Sequence, residues 1–302
     1  MTSAGIEACG DELRGIGPSL PYGLKAAVTR LRSLAWVARG GVVRDEGLRV
    51  LFYHRVSADR DELSVHPSLF AREMQLLADQ DYRVVDVVRI LDLMAEGQVP
   101  GRTIGLSFDD GYLDNAEHAL PVLREHGFCA TVFVTTAVTD GRSSFVWFEQ
   151  QPPLLRWDEI VDLDRGGVLT FEAHSLTHPN LLAVDDRRAR AEIFGSKAEL
   201  EERLGRSVSV FSYPAGLFSD RERRLVAQAG YRAAVSCEPG VNRRDTDLFA
   251  IRRRQIDGRD SLLDFRAKIA GAHDSPLPFR ATYRRLRYGE GVGSPRLASS
   301  AR

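Results

Sequence analysis

From residue 103 onward the chain alternates short apolar, β-branched runs with longer segments of helical spacing, and that alternation restricts its fold more than any other feature. Strands are expected over 103–108, 130–135, 168–172, 208–212 and 232–236, with helices over 116–125, 187–204 and 221–229. Runs that are apolar throughout suit strands buried on both faces, and a helix after a strand is the crossover that parallel pairing needs. Upstream, 48–53 (LRVLFY) and 82–85 read as strands. A helix is expected near Pro67 with Ser68 close to its cap, and another over 87–94. The fold class is therefore α/β, either a barrel or an open doubly wound sheet. Three polar clusters follow strands directly, as the active-site loops of a (β/α) barrel do.

The chain of 302 residues carries a formal net charge of −1, which gives no electrostatic case for nucleic acid as a partner. Its three cysteines, Cys9, Cys129 and Cys237, are far apart and odd in number, so no disulfide framework is expected and a reducing compartment is favoured. Residues 1–19 include Glu7, Asp11, Glu12 and Arg14 and lack the apolar core of a secretory signal. Residues 24–43 are partly apolar but are interrupted by Lys25, Arg30, Arg32 and Arg39, too many charges for a membrane span. A surface helix is expected there, with a basic amphipathic helix on a membrane or a partner as the alternative. The expected organisation is an N-terminal extension over 1–46, helical in part, a main domain over 47–274, and a basic tail over 275–302 with Arg280, Arg284, Arg285, Arg287 and Arg296. The expected location is cytoplasmic or membrane-peripheral, and the oligomeric state is left open.

Asp109 and Asp110 stand together at a strand end, before Gly111. Adjacent carboxylates repel and strands disfavour Asp, so a metal, an arginine or a helix N-terminus is expected to compensate them. His174 and His178 are four apart and fall on one face if their loop turns helically. One Asp with two His, each after a parallel strand, supplies three ligands to a divalent ion and leaves a position for water. The other Asp remains for substrate or water.

Residues 106–111 (LSFDDG), 174–179 (HSLTHP) and 211–216 (FSYPAG) resemble, in order and strand-end placement, the first three motifs of the NodB-like polysaccharide deacetylases, carbohydrate esterase family 4. The resemblance extends over residues 50–271. It implies a distorted (β/α) barrel and hydrolysis of N-acetyl groups on N-acetylhexosamine units of a glycan or glycolipid. It also implies Asp109 as catalytic base and Asp110, His174 and His178 as ligands of one divalent metal. Zinc is the default for such a donor set, and Co, Ni or Mn fit it too. In the Tyr213–Gly216 turn a backbone N–H is suited to an oxyanion; Pro214 has none, which points to Ala215 beside Tyr213.

Two departures from the family pattern stand out. Ser212 and Ala215 occupy positions where relatives commonly carry an arginine, which pairs with the catalytic Asp, and an aromatic residue. Arg55 and the Arg252–Arg254 run are the candidates to orient Asp109 instead. The general acid is expected to be a histidine. His54, in a Tyr-His-Arg-Val stretch, resembles that of a circularly permuted branch that includes exopolysaccharide deacetylases, with His273 as the alternative. Asp257, Asp260 and Asp264 are candidates to tune it. Trp147, Phe148 and Trp157 are candidates to stack on sugar rings or to pack the core, and His118 and His126 are expected to face solvent. An amidohydrolase of a small or cyclic amide and a catalytically weak glycan-binding domain are the competing readings.

Overall fold

A computed structural model describes residues 22–43 and 47–275; the expectations for 1–21, 44–46 and the basic tail beyond 275 lie outside the described residues. In chain order the elements are α1 (Tyr22–Ala38), β1 (Arg49–Tyr53), β2 (Arg55–Val56), β3 (Ser64–Val65), α2 (Pro67–Asp79), β4 (Arg83–Val85) and α3 (Val87–Ala95). The middle holds β5 (Thr103–Asp110), a π turn (Asn115–Ala119), α4 (Leu120–His126), β6 (Ala130–Val134), α5 (Thr136–Thr139), α6 (Trp157–Arg165) and β7 (Leu169–Ala173). Then follow α7 (Asp186–Leu204), β8 (Val210–Ser212), α8 (Asp220–Gln228), β9 (Ala233–Val235), β10 (Arg254–Gln255) and α9 (Leu262–Ile269).

The main sheet runs β10-β1-β5-β6-β7-β8-β9, and every pairing in it is parallel. One edge of β5 is shared, its first half by β4 and its second by β6. A single parallel bridge between Val235 and Ile251 joins β9 to the segment that leads into β10, so the curled sheet meets itself as a distorted (β/α) barrel. The barrel is one of the two folds that the alternation allows, and the one that the family resemblance implies. Alternate strand residues build two apolar layers. Leu51, Tyr53, Val132, Val134 and Phe171 pack with the helices, whereas Val50, Phe133, Val210 and Val235 pack with Val87 and Ile90 of α3.

Local chemistry explains the boundaries that differ from expectation. Helix α2 is capped by His66, whose Nδ1 accepts from the Ser68 N–H, with Pro67 in the first turn where its missing N–H costs nothing. The helix expected over 116–125 opens as a π turn, with the Leu120 N–H reaching back to Asn115 O, and Pro121 follows with no N–H for an α-type bond. Strand β8 is short, and a buried carboxylate sets it beside β7: Glu172 Oε2 accepts from the Ser209 and Val210 N–H groups at 2.7 and 2.6 Å.

Helix α1 packs against α9. Arg30 bonds Asp264 at 2.8 Å, Arg32 donates to Ala272 O, and Ser33 Oγ lies 3.1 Å from His273 Nε2. Its other side leaves Leu24, Leu31 and Leu34 exposed. Among the described residues no helix is long and apolar enough to cross a membrane, and Cys129 and Cys237 are not in disulfides.

His273 is buried, and burial together with the charges of Arg254, Lys268 and Arg32 pushes it down to about 3. A histidine kept neutral in the fold contributes stability above its unfolded value of about 6.5, and that contribution is lost as pH falls toward 3. Chemical denaturation at pH 7 and pH 4 is therefore expected to show a smaller acid loss in His273→Gln than in the parent, by about 2 kcal/mol. An identical loss in both would show that His273 does not couple this helix pair to pH.

Candidate active site

Because the strands are parallel, their carboxyl ends lie together. A cavity of about 540 Å³ opens there, and His54, Asp109, Asp110, His174, His178 and Ala215 all line it. His54 follows β1, the two aspartates end β5, His174 follows β7, and Ala215 lies just beyond β8. Strand β1 lies directly beside β5, with Tyr53 opposite Phe108.

Adjacent residues of a strand face opposite sides, so Asp109 and Asp110 could not share a cavity in regular β geometry. Asp110 adopts φ 77° and Gly111 φ 78°, which breaks the alternation. Asp tolerates the left-handed region better than most residues. Gly111 is required, since a Cβ there would meet Val134 Cγ1 at 2.6 Å. Ser175, His178 and Ala215 also have positive φ, so four of the six non-glycine residues of this kind among those described belong to the site.

The histidine pair does not form as a helical turn. Residues 174–178 follow β7 as bends, and the left-handed Ser175 and His178 fold the second ring back onto the first. The ring centroids are 4.7 Å apart. Glu192 of α7 holds the bend, accepting from the Leu176 and Thr177 N–H groups at 2.9 and 2.8 Å and from Thr177 Oγ1 at 2.7 Å. The four-residue spacing is met, but through a carboxylate on a distant helix that nothing in the local motif announces.

His174 Nδ1 lies 2.8 Å from Ser212 O, a carbonyl that can only accept, so the ring's proton sits there and the Nε2 lone pair faces inward. That Nε2 is 3.6 Å from Asp110 Oδ1, and His178 Nε2 is 3.9 Å from the same oxygen. Asp110 Oδ1 is buried with no hydrogen-bond partner. Burial and the Asp109 charge push Asp110 up to about 8. Burial drives His174 down to about 4 and His178 well below its ordinary value. Ligand atoms of both histidines at 3.6 and 3.9 Å from the Asp110 oxygen suit a divalent cation, since two donors each about 2.1 Å from an ion lie up to about 4.2 Å apart.

Asp109 is held by Arg253. Both guanidinium Nη atoms donate to its two oxygens, at 2.7 and 2.8 Å, in a bidentate pair from which solvent is excluded. Burial alone would raise the Asp109 carboxyl, but Arg253, together with His174 and His54, outweighs it and leaves the group at about 2. Arg253 also donates to Ser212 Oγ at 3.0 Å and to Ser236 O at 3.1 Å, and lies over the Phe52 and Phe133 rings. The middle arginine of the Arg252–Arg254 run is thus the one that holds Asp109, and Ser212 helps to place it.

Other expectations are corrected. Arg55 is committed to Asp59, Asp61 and Asp114 and takes no part in orienting Asp109. His273 lies beneath α1, outside the catalytic cavity. The Tyr213 ring is buried, stacks on Phe218 and donates to Phe249 O, so the turn enters the cavity through Ala215 and not through the tyrosine side chain. Trp157 packs against the core under Arg203, while Trp147 and Phe148 are half-buried on the cavity wall. Asp260 and Asp264 bond Lys268 and Arg30; burial pushes the His54 imidazole below its ordinary value, and Asp257, bonded to Arg259, opposes that shift through its charge. His118 faces solvent and His126 is half-buried.

Side chains gathered at the carboxyl ends of barrel strands around one buried carboxylate pair are the build of an α/β-barrel hydrolase. The chain is similar to the polysaccharide deacetylase family, whose model matches residues 96–234, just under half of the chain. It is 25% identical over 210 residues to the Bacillus subtilis (strain 168) protein named "Putative polysaccharide deacetylase YxkH", covering 69% of this chain and 71% of that one. It is 22% identical over 196 residues to the poly-β-1,6-N-acetyl-D-glucosamine N-deacetylase of Staphylococcus aureus (strain MRSA252), covering 62% of this chain and 66% of that one, just under two thirds. In fold it is similar to the Streptococcus pyogenes deacetylase PplD solved with acetate (TM-score 0.65, 21% identity, 74% of this chain and 98% of that one). It is also similar to IcaB from Ammonifex degensii (TM-score 0.63, 22% identity, 76% and 97%). The family match holds both aspartates and both histidines of the site, whereas His54 and Arg253 fall outside it.

If Arg253 holds Asp109 in place, Arg253→Leu leaves a buried carboxylate without its cation, and about 3–5 kcal/mol of stability is expected to go with it. Arg253→Lys keeps the charge but loses the fork, so hydrolysis is expected to fall by about a hundredfold with a smaller loss of stability. Denaturation and turnover measured on both variants check this; full activity in Arg253→Lys would refute the fork.

Proposed function

We propose that the chain removes N-acetyl groups from N-acetylhexosamine units of a polysaccharide or glycan precursor, with one divalent metal, zinc by default, held by Asp110, His174 and His178. The observation that carries this reading is the convergence of those three ligating groups beside a second carboxylate, Asp109, that Arg253 keeps out of the ligand set. The poly-β-1,6-N-acetyl-D-glucosamine N-deacetylase similarity supports the substrate class. So does an aromatic wall of Trp147 and Phe148 beside the cavity, suited to stacking on pyranose rings. The domain of residues 47–274 is the unit we assign to this activity, and the substrate is the partner it is built to take.

When bound, a divalent metal polarises the acetyl carbonyl and acidifies a water. Asp109, anionic across the working pH range, accepts the proton from the attacking water; Arg253 occupies one lone pair on each of its oxygens and leaves another on each for this task. In the Tyr213–Gly216 turn the Tyr213 N–H donates to Val235 O and the Gly216 N–H to Tyr213 O. Pro214 has no N–H, so the Ala215 N–H is the donor assigned to the oxyanion. His54 supplies the proton to the departing amine. Asn115 Nδ2 donates to the His54 carbonyl and fixes its backbone at the end of β1.

Acetate release from N-acetylglucosamine oligomers is expected to vanish on chelation and to return with Zn²⁺ or Co²⁺. Chelation is also expected to lower thermal stability, since an ion at about a hundred times its Kd adds about 2.7 kcal/mol to the folded state. Asp109→Asn and His54→Ala are each expected to cut turnover by about a hundredfold or more while metal content stays at the parent level. His273→Ala is expected to keep turnover. Unchanged turnover in Asp109→Asn would sink the mechanism, and acetate release from a cyclic or small amide but from no glycan would sink the substrate class.

A further inference from the structure

A metal ligand binds best when its lone pair is aimed before the ion arrives, so the group that orients each ligand is half of the site. His174 is aimed by the Ser212 carbonyl. His178 has no such acceptor: its Nδ1 is buried, and no other described residue is hydrogen-bonded to it. Aromatic rings meet it instead. Trp147 and Phe145 lie edge-to-face on the His178 ring, with centroids 4.8 and 5.9 Å away, and stack on each other at 4.7 Å. Asp110 is fixed by a third ring, that of Tyr112. The Tyr112 hydroxyl donates to Asp110 Oδ2 at 3.2 Å, which leaves Oδ1, the oxygen that faces both histidines, without a partner.

Tyr112, Phe145 and Trp147 belong to one small apolar cluster, separate from the two cores of the barrel. The stretch between α5 and α6 carries Phe145 and Trp147, and its far end is stitched to the turn after Asp110. There the Leu113 N–H donates to Pro153 O and the Leu155 N–H to Gly111 O, on either side of a bridge between Tyr112 and Leu154. Gln151 Oε1 accepts from the Phe145 N–H at 2.8 Å and closes the stretch on itself. Arg55, held by its three carboxylates, lies over the Tyr112 ring at 5.5 Å. The barrel cores pack without this cluster, whereas two of the three ligand side chains lean on it. We infer that Tyr112, Phe145 and Trp147 are positioning residues for the metal, presetting Asp110 and His178 so that the affinity for the ion, more than the stability of the fold, depends on them. Trp147 also lines the catalytic cavity, so the ring assigned to the sugar and the support of a ligand are one side chain.

These roles rest on the metal ligands assigned above, and the test reads the metal alone. The metal-free full chain is titrated with Zn²⁺ against a chelating dye, and with Co²⁺ by its visible absorption. Tyr112→Phe removes only a hydroxyl, and Trp147→Ala removes the ring against His178. Each is expected to weaken Zn²⁺ binding by about tenfold or more and to alter the Co²⁺ spectrum, while thermal unfolding of the metal-free protein stays close to that of the parent. Trp147→Phe, which keeps an aromatic face, is expected to recover most of the affinity. Phe148→Leu is expected to bind as the parent does, since the ring contacts of Phe148 are with Tyr112 and Trp147. Parent affinity in Tyr112→Phe or in Trp147→Ala, or an equal loss in Phe148→Leu, overturns the positioning role and leaves the deacetylase reading in place. A loss of metal-free stability as large as the loss of affinity overturns it too, because the cluster would then belong to the fold. A parent chain that binds neither ion overturns both. Acetate release from the parent separates the remaining case: affinity lost in the two variants, with no acetate from any glycan, keeps the positioning role and removes deacetylation.

Discussion

The buried ion pair between Arg253 and Asp109 is the interaction on which the rest of the site depends. Two neighbouring carboxylates in a dry cavity cannot both be ionised without cations, and Arg253 settles the matter for one of them. Asp110 is left with the other demand, since burial and the Asp109 charge push it up to about 8. The division of labour between the two aspartates is therefore electrostatic before it is catalytic. Arg253 also lies where the barrel is weakest, since one bridge joins β9 to the chain entering β10. From there its side chain reaches Asp109 and Ser107 of β5, Ser212 of β8 and the Ser236 carbonyl just past β9. The group that sets the charge of Asp109 also fastens the seam.

Backbone strain in this molecule is spent at the site. Asp110, Ser175, His178 and Ala215 take left-handed conformations that side chains disfavour, and each redirects a group toward the same cavity. Regular β geometry would send Asp110 to the opposite face from Asp109. The surrounding structure over-determines these turns through Glu192 under the histidine bend and the tight fit of Gly111 against Val134.

The parallel fold was legible because strand and helix periods differ, and the strand ends because polar clusters interrupt apolar runs at Asp109 and His174. Which arginine holds Asp109 was legible only as a short list. Arg55 and Arg253 both follow apolar strand-like stretches, and tertiary geometry alone separates the one bound to Asp114 from the one bound to Asp109. Glu192 could not be found at all, since a glutamate midway along a charged helix reads as solvated surface until the fold buries it. Tyr213 and His273 show the converse. Both sit beside motif-like sequence, yet packing takes the phenol into the core and the imidazole beneath α1.

The order of these residues along the chain adds a constraint of its own. His54 arrives on the first strand of the barrel and Arg253 at the entry to the last, with Asp109 144 residues before its partner. Contacts of such long range form only after the entropy of closing large loops has been met, so no local unit of this chain carries a working site. The strand with His54 lies between β5 and β10, and loss of either neighbour displaces His54 and Asp109 relative to each other. His54, Asp109, the cluster of Asp110, His174 and His178, and Arg253 therefore depend on one closure event. A partly assembled barrel would expose bare carboxylates and histidines, which favours an all-or-none coupling of the site to the fold.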